Sequence, residues 1–154
     1  MSIEGILLKP GEARMVGARG MQVGFLVTGA HAHGASVFEF TAAPGFEVGA
    51  HIHHSMEEIF YVLEGEFDLR VGDRIMRGGP GTFMFVPKEA PHAFSNPGST
   101  PAKTLLIVSP PGHEHYFEEL AEILAREGPP DTVAIAALRK KYDTEQLADL
   151  KAGS

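Results

Sequence analysis

From about Gln22 to Val108 the chain shows short apolar runs separated by Gly or Pro, a spacing that predicts many short strands joined by tight turns. In "SVFEFTA", Phe38 and Phe40 share one face of an extended segment while Val37 and Glu39 share the other. "EFDLRVGDRI" alternates more cleanly: Phe67, Leu69 and Val71 point one way, and Glu66, Asp68 and Arg70 point the other. Gly72-Asp73 then falls where a hairpin turn is expected. "GTFMFVP" and "KTLLIVSP" add apolar runs rich in aromatic and β-branched residues.

The period changes in the last third. "EHYFEELAEILAREG" places Phe117, Leu120, Ala121 and Leu124 at the spacing of an amphipathic helix. Gly128-Pro129-Pro130 ends it, and Asp131 or Thr132 is placed to cap a second helix through Lys141, with Ile135 and Leu138 on its apolar side. Strands without intervening helices predict a sandwich or closed barrel rather than a parallel sheet. The expected organisation is an N-terminal segment over 1–21, a β-barrel over 22–110, and a helical extension over 111–154 packed on the barrel. No internal repeat or low-complexity segment interrupts this plan.

Composition narrows the classes of function. The 154 residues are 44% hydrophobic and 21% charged, ordinary values for one globular domain able to bury its own core. Thirteen basic against 20 acidic residues give a net charge of −7 with no basic block, so nucleic acid and anionic membrane surfaces are not expected partners. The absence of cysteine excludes disulfides, thiolate metal sites and cysteine nucleophiles. The start "MSIEGILLKPGEARM" lacks the pattern of a signal peptide, and no stretch approaches the roughly 18 apolar residues of a membrane span. A cytoplasmic protein is the expectation.

The chemistry concentrates in "HIHHSMEEIFYVLEGE". His51 and His53 share a face of a strand, while Ile52 takes the other. Glu58 has the wrong parity for an uninterrupted strand, so the polar "HSME" is expected to turn or bulge and let Glu58 begin a returning strand. Glu57 is its rival as a carboxylate ligand, and otherwise is expected near the pocket mouth as an acid or base. A fourth ligand is offered by "GTFMFVPKEAPHAFSN", where Pro87 and Pro91 stiffen a turn that leads into His92. Three neutral imidazoles and one carboxylate suit one divalent transition ion (Fe, Mn, Ni, Co or Zn) and leave up to two positions of an octahedral ion open.

Two spacings carry a resemblance. The first runs Gly45, His51, His53, Glu58, Gly65; the second runs Gly81, Pro87, His92, Asn96. Together they resemble the two signature motifs of the cupin superfamily. The resemblance implies an all-β fold, a single-domain jelly-roll barrel with two short C-terminal α-helices, and implies that His51, His53, Glu58 and His92 are metal ligands. One departure stands out: Glu89 occupies a position two residues after the proline where the motif usually has glycine. "LVTGAHAHGASVFEFTAAPGF", "LLIVSPPGHEHYFEELAEIL" and the "GPPD…LRKKYD" tail further resemble small bacterial monocupins described as quercetin 2,3-dioxygenase-like.

The expected activity is therefore that of a metal-dependent dioxygenase on a small aromatic or enolic substrate, with Glu58 as proton acceptor and dioxygen as co-substrate. A non-redox isomerase, cyclase or decarboxylase, and a ligand-binding cupin without catalysis, are the alternatives. Phe60 and Phe94 are the expected pocket residues, each two positions from a proposed ligand, while others among Phe38, Phe40, Phe83 and Phe85 fill the barrel. No Arg or Lys is forced inward by these patterns, which argues against a polyanionic substrate. His54 is expected to point away from the metal. The pairs His31/His33 and His113/His115 lack supporting ligands and are expected at the surface. A homodimer is expected, because an open sheet edge needs cover and small cupins commonly pair.

Overall fold

The structure, a computed structural model, describes residues 4–147. Residues 1–3 of the expected N-terminal segment and 148–154 of the expected C-terminal extension lie outside the described residues. No helix among those described is long and apolar enough to cross a membrane.

Two antiparallel sheets face each other. The first has six strands: β1 (Arg14–Ala18), β2 (Met21–Val27), β3 (Ser36–Ala42), β10 (Ala102–Ser109), β5 (Glu57–Glu64) and β8 (Phe83–Val86), in that spatial order. The second has five: β11 (Glu145–Gln146), β4 (Glu47–Ile52), β9 (His92–Ser95), β6 (Phe67–Val71) and β7 (Arg74–Gly78). The arrangement is the expected jelly-roll barrel, followed by α1 (His113–Leu124) and α2 (Thr132–Lys141). Asp131 caps α2 by accepting the Ala134 N–H at 2.9 Å, the geometry that stabilises a helix start. The sheet begins earlier than the apolar pattern alone indicates, since β1 already pairs with β2 from Arg14↔Phe25 onward. It also takes a short strand from beyond the helices, where β11 pairs with β4.

Alternation sets the core. Ser36, Phe38, Phe40 and Ala42 of β3 are buried, as are Phe67 and Leu69 of β6. Phe94 sits where both sheets meet, with ring centroids 5.4 Å from Phe40, 5.2 Å from Phe60 and 6.3 Å from Phe67. Each such ring contributes roughly 1.5–3 kcal/mol by leaving water. In β8 the buried pair is Met84 and Val86, so Phe83 and Phe85 face outward and are exposed. Those two rings neither fill the barrel nor reach a pocket inside it.

The motif residues have plain structural duties. Gly65 adopts φ +67°, and a Cβ there would stand 2.9 Å from the Ala102 backbone, so the turn after β5 admits only glycine without a shift. The buried Asn96 side chain donates to Ala42 O at 3.0 Å and to Thr100 O at 2.8 Å, and accepts from Gly98 N–H. It thereby satisfies backbone groups that the loop after β9 would otherwise leave unpaired.

Candidate metal centre

The polar "HSME" does not fold β4 back on itself. It carries the chain from β4, in the five-stranded sheet, to β5, in the six-stranded sheet. The proline-flanked turn from β8 to β9 crosses in the opposite direction. Two crossings at one end of the barrel bring four side chains together from both sheets.

His51, on β4, pairs in register with His92, which opens β9. His53 lies just past β4, and Glu58 is the second residue of β5. One ligand atom from each of His51, His53, Glu58 and His92 lies within 4.8 Å of all the others, and all four residues are buried. Glu57 has the opposite parity on β5 and does not line the cavity that opens on this cluster. The carboxylate at the centre is Glu58.

The imidazoles are oriented by backbone carbonyls. His51 Nδ1 lies 2.8 Å from Gly49 O, His53 Nδ1 lies 3.0 Å from Asp143 O, and His92 Nδ1 lies 3.0 Å from Ala90 O. A carbonyl can only accept, so in each ring Nδ1 carries a proton, and Nε2 is the nitrogen left to give its lone pair to a metal ion once it is deprotonated. Such outer hydrogen bonds fix the tautomer a metal-ligating histidine needs. The Nε2 atoms of His92 and His53 lie 2.9 and 3.6 Å from the two Glu58 oxygens.

Electrostatics follow from this packing. Burial pushes the Glu58 carboxyl up, but the hydrogen bonds and charges of His53 and His92 outweigh it and hold the group well below its ordinary range. Burial, reinforced by His92, lowers His51 to about 3. Burial also lowers His53, yet Glu58 beside it reverses the sign and leaves it raised. A compact set of three imidazoles around one ionised carboxylate is the donor chemistry of a divalent transition ion.

The cluster opens into a cavity of about 330 Å³. Its lining is mainly apolar, with Phe40, Phe46, Phe60, Phe94, Leu106 and Phe117 among its walls. Phe60 and Phe94 both line this cavity.

Among the lining residues that the sequence did not single out are His113, Tyr116 and Arg139. His113 was expected at the surface but is buried in the cavity wall, its ring centroid 6.1 Å from that of His53. Burial lowers its pKa to about 4. His113 precedes Phe117 by four residues and Leu120 by seven, so extending the helical stripe one turn backward finds it. Tyr116 joins the same stripe, and Arg139 brings a guanidinium to a cavity expected to have no inward cation. Arg139 follows Ile135 by four, the spacing that sets it on the buried face of α2. His31, His33 and His115 are exposed. His54 points away from the cluster and lies 2.7 Å from a Glu89 oxygen and 2.8 Å from a Glu145 oxygen.

A two-sheet jelly roll with a buried three-histidine, one-glutamate cluster at one end places the chain among small β-barrel proteins with a donor set able to hold a metal ion. A family model described as "Cupin domain" matches residues 38–108. An uncharacterized protein of Methanocaldococcus jannaschii is 32% identical over 89 residues, spanning 58% of this chain and 68% of that protein. Protein SchB of Streptomyces halstedii is 32% identical over 96 residues, spanning 60% and 68%. The polyketide cyclase RemF from Streptomyces resistomycificus has a similar structure, with TM-score 0.59 and 25% identity, covering 70% of this chain and 80% of that one. The chain belongs to the cupin superfamily.

Proposed function

We propose that the protein is a metal-dependent enzyme acting on a small aromatic or enolic substrate, one of whose oxygens is held at the His51, His53, Glu58 and His92 cluster. The observation that carries this reading is the convergence of three Nδ1-anchored imidazoles and an ionised Glu58 at the floor of an aromatic cavity. A divalent ion bound there (Fe, Mn, Ni, Co or Zn) would supply a Lewis acid that lowers the pKa of an enolic or phenolic hydroxyl. Phe60 and Phe94 flank the planar body of the substrate and exclude water. Glu58, the one anionic donor, is ionised and accepts the substrate proton.

Ring closure or isomerisation without redox change is the first reading of the reaction, and the likeness to the polyketide cyclase RemF supports it. Oxygenation, with dioxygen as co-substrate, is the second. It is favoured by the donor count, since four protein ligands leave room for two further ones. Turnover of flavonols, β-diketones and linear poly-β-ketones by metal-loaded protein, with and without oxygen, separates them. Product formed equally in both atmospheres fits the first reading, and stoichiometric oxygen uptake fits the second. No turnover in either atmosphere leaves a binding protein and overturns the enzyme reading.

A homodimer belongs to the same proposal. Tyr61, Phe83 and Phe85 stand exposed on the outer surface of β5 and the edge strand β8, an apolar surface that a second copy would cover. Sedimentation equilibrium at the monomer mass would count against it.

A further inference from the structure

The cavity has one wall unlike the others. Beyond the metal-ligand cluster the sheets line the cavity mainly with aromatic and aliphatic side chains, whereas α1 and α2 set the polar His113, Tyr116 and Arg139 among their apolar ones. His113 is 7% exposed and lines the cavity, and its Nδ1 is fully buried with no hydrogen-bond partner among the described residues. Its ring stacks on Tyr116, with centroids 4.8 Å apart and planes inclined by 25°. Arg139 lines the same cavity as Tyr116 and is itself only 8% exposed.

Buried cations are normally paired with carboxylates, and among the described residues Arg139 has no such partner. Its observed side-chain partner is the neutral amide oxygen of Gln146. Acids of the surrounding elements are engaged elsewhere: Glu119 with Lys141 and Tyr142, Asp143 with His54 and Ser55, Glu145 with His54, and Glu58 with His53 and His92. Glu47 borders the cavity but is exposed. The other arginine of the lining, Arg19, is spent on structure, donating to the carbonyls of Leu124, Arg126 and Gly128 at the end of α1. Arg139 is thus a guanidinium with spare donors in a cavity otherwise poor in charge. Guanidinium geometry matches a carboxylate through two parallel hydrogen bonds.

We propose that the helical wall selects the ligand, that the ligand is an aromatic or enolic acid, and that Arg139 pairs with its carboxylate while His113 hydrogen-bonds a ligand oxygen closer to the metal cluster. The proposal rests on reading the site as one for an aromatic or enolic ligand, and adds to it an anionic group at the end remote from the metal. His113 and Arg139 are binding and positioning residues in this account.

The test uses 6-hydroxy-2-naphthoate, whose phenol and carboxylate lie at opposite ends of a planar body, beside its uncharged carboxamide. Binding is measured by titration calorimetry to the full chain, metal-free and zinc-loaded. The unaltered protein is expected to prefer the carboxylate at least tenfold in both forms. Arg139→Met abolishes the preference, and Arg139→Lys retains part of it while keeping a charge in place should the apolar variant fail to fold. His113→Phe weakens both probes several-fold, leaves the carboxylate preference intact, and does not lower the thermal midpoint, because a ring without an unpaired nitrogen replaces one with it.

Equal affinity for the two probes in the unaltered protein, no saturable binding of the carboxylate, or a preference that survives Arg139→Met overturns the proposal. Unchanged affinity in His113→Phe overturns the role of that residue. Zinc content by elemental analysis tests the metal site separately, so a missing metal with an intact carboxylate preference would sink the enzyme reading and leave the wall's selectivity standing.

Discussion

His92 Nε2 stands 2.9 Å from Glu58 Oε2, joining the first residue of β9 to the second of β5 across the two sheets. Both residues are buried, so the contact brings an imidazole and a carboxylate together out of water. The imidazole is held there by its Nδ1 contact with Ala90 O.

Metal binding is the first prediction. The purified protein is expected to carry about one divalent transition ion per chain, and His92→Ala to lose it. A ligand present at a thousandfold its Kd stabilises the folded state by about 4 kcal/mol, roughly 10 °C in melting temperature for a domain of this size. Differential scanning calorimetry with and without zinc should show that rise in the parent protein and not in the variant. An equal rise in both would mean the ion binds elsewhere.

Acid sensitivity should follow Glu114. Its buried carboxylate accepts from Gly29 N–H and Ser36 Oγ–H, each at 2.7 Å, and from Gly112 N–H at 3.2 Å, tying the start of α1 to the first sheet. Burial raises its pKa, but these hydrogen bonds, led by that of Ser36, leave it lowered. A lowered folded pKa contributes stability that is complete above the unfolded value and is lost as pH falls through the folded one. Glu114→Gln should therefore destabilise the protein by about 1–3 kcal/mol at neutral pH, with the difference shrinking below about pH 4.5. Urea titrations at pH 7 and pH 4 measure both, and a difference that grows in acid would contradict the assignment.

Glu89 adopts φ +67°, which explains why glycine is the usual occupant of that motif position. The turn keeps its shape because Glu89 N–H donates to His53 O at 2.8 Å. Left-handed backbone costs an L-residue about 1–2 kcal/mol, offset in part by the greater unfolded-state freedom of glycine. Glu89→Gly is expected to be more stable than Glu89→Ala by about 1 kcal/mol in chemical denaturation. The reverse order would show that the left-handed turn is not kept in solution.

Phe94 serves the core and the cavity at once. Its ring meets Phe40, Phe46, Phe60 and Phe67, so Phe94→Ala should cost about 3–5 kcal/mol. Phe94→Leu should cost less and still widen the cavity, weakening planar ligands more than it weakens the fold. A loss of stability in Phe94→Leu with unchanged ligand affinity would place the ring in the core alone.

The sequence resolved strands whose two faces differ in polarity. In β3 and β6, polar residues alternate with Phe38, Phe40, Phe67 and Leu69, and a period of two leaves one choice of inner face. "FMFV" offers no such contrast. Either parity buries two apolar residues, and only the pairing of β8 with β5 decided that Met84 and Val86 turn inward. The return strand expected after "HSME" became a crossing between sheets for a related reason, because a local polar break marks a change of direction and not the partner that follows.

Motif spacing alone selected His51, His53, Glu58 and His92, since the intervals between them along the chain are local properties that the strands then preserve. The docking of α1 and α2 on the open end of the barrel is not local. A helix sequence reveals its apolar stripe, yet what that stripe faces depends on packing against residues about a hundred positions away. The sequence by itself therefore determined the cluster and the strands that carry it. Only the tertiary structure decided that His113 and Arg139 close the cavity over that cluster, because an imidazole or guanidinium at the edge of a stripe reads the same in water as against a cavity.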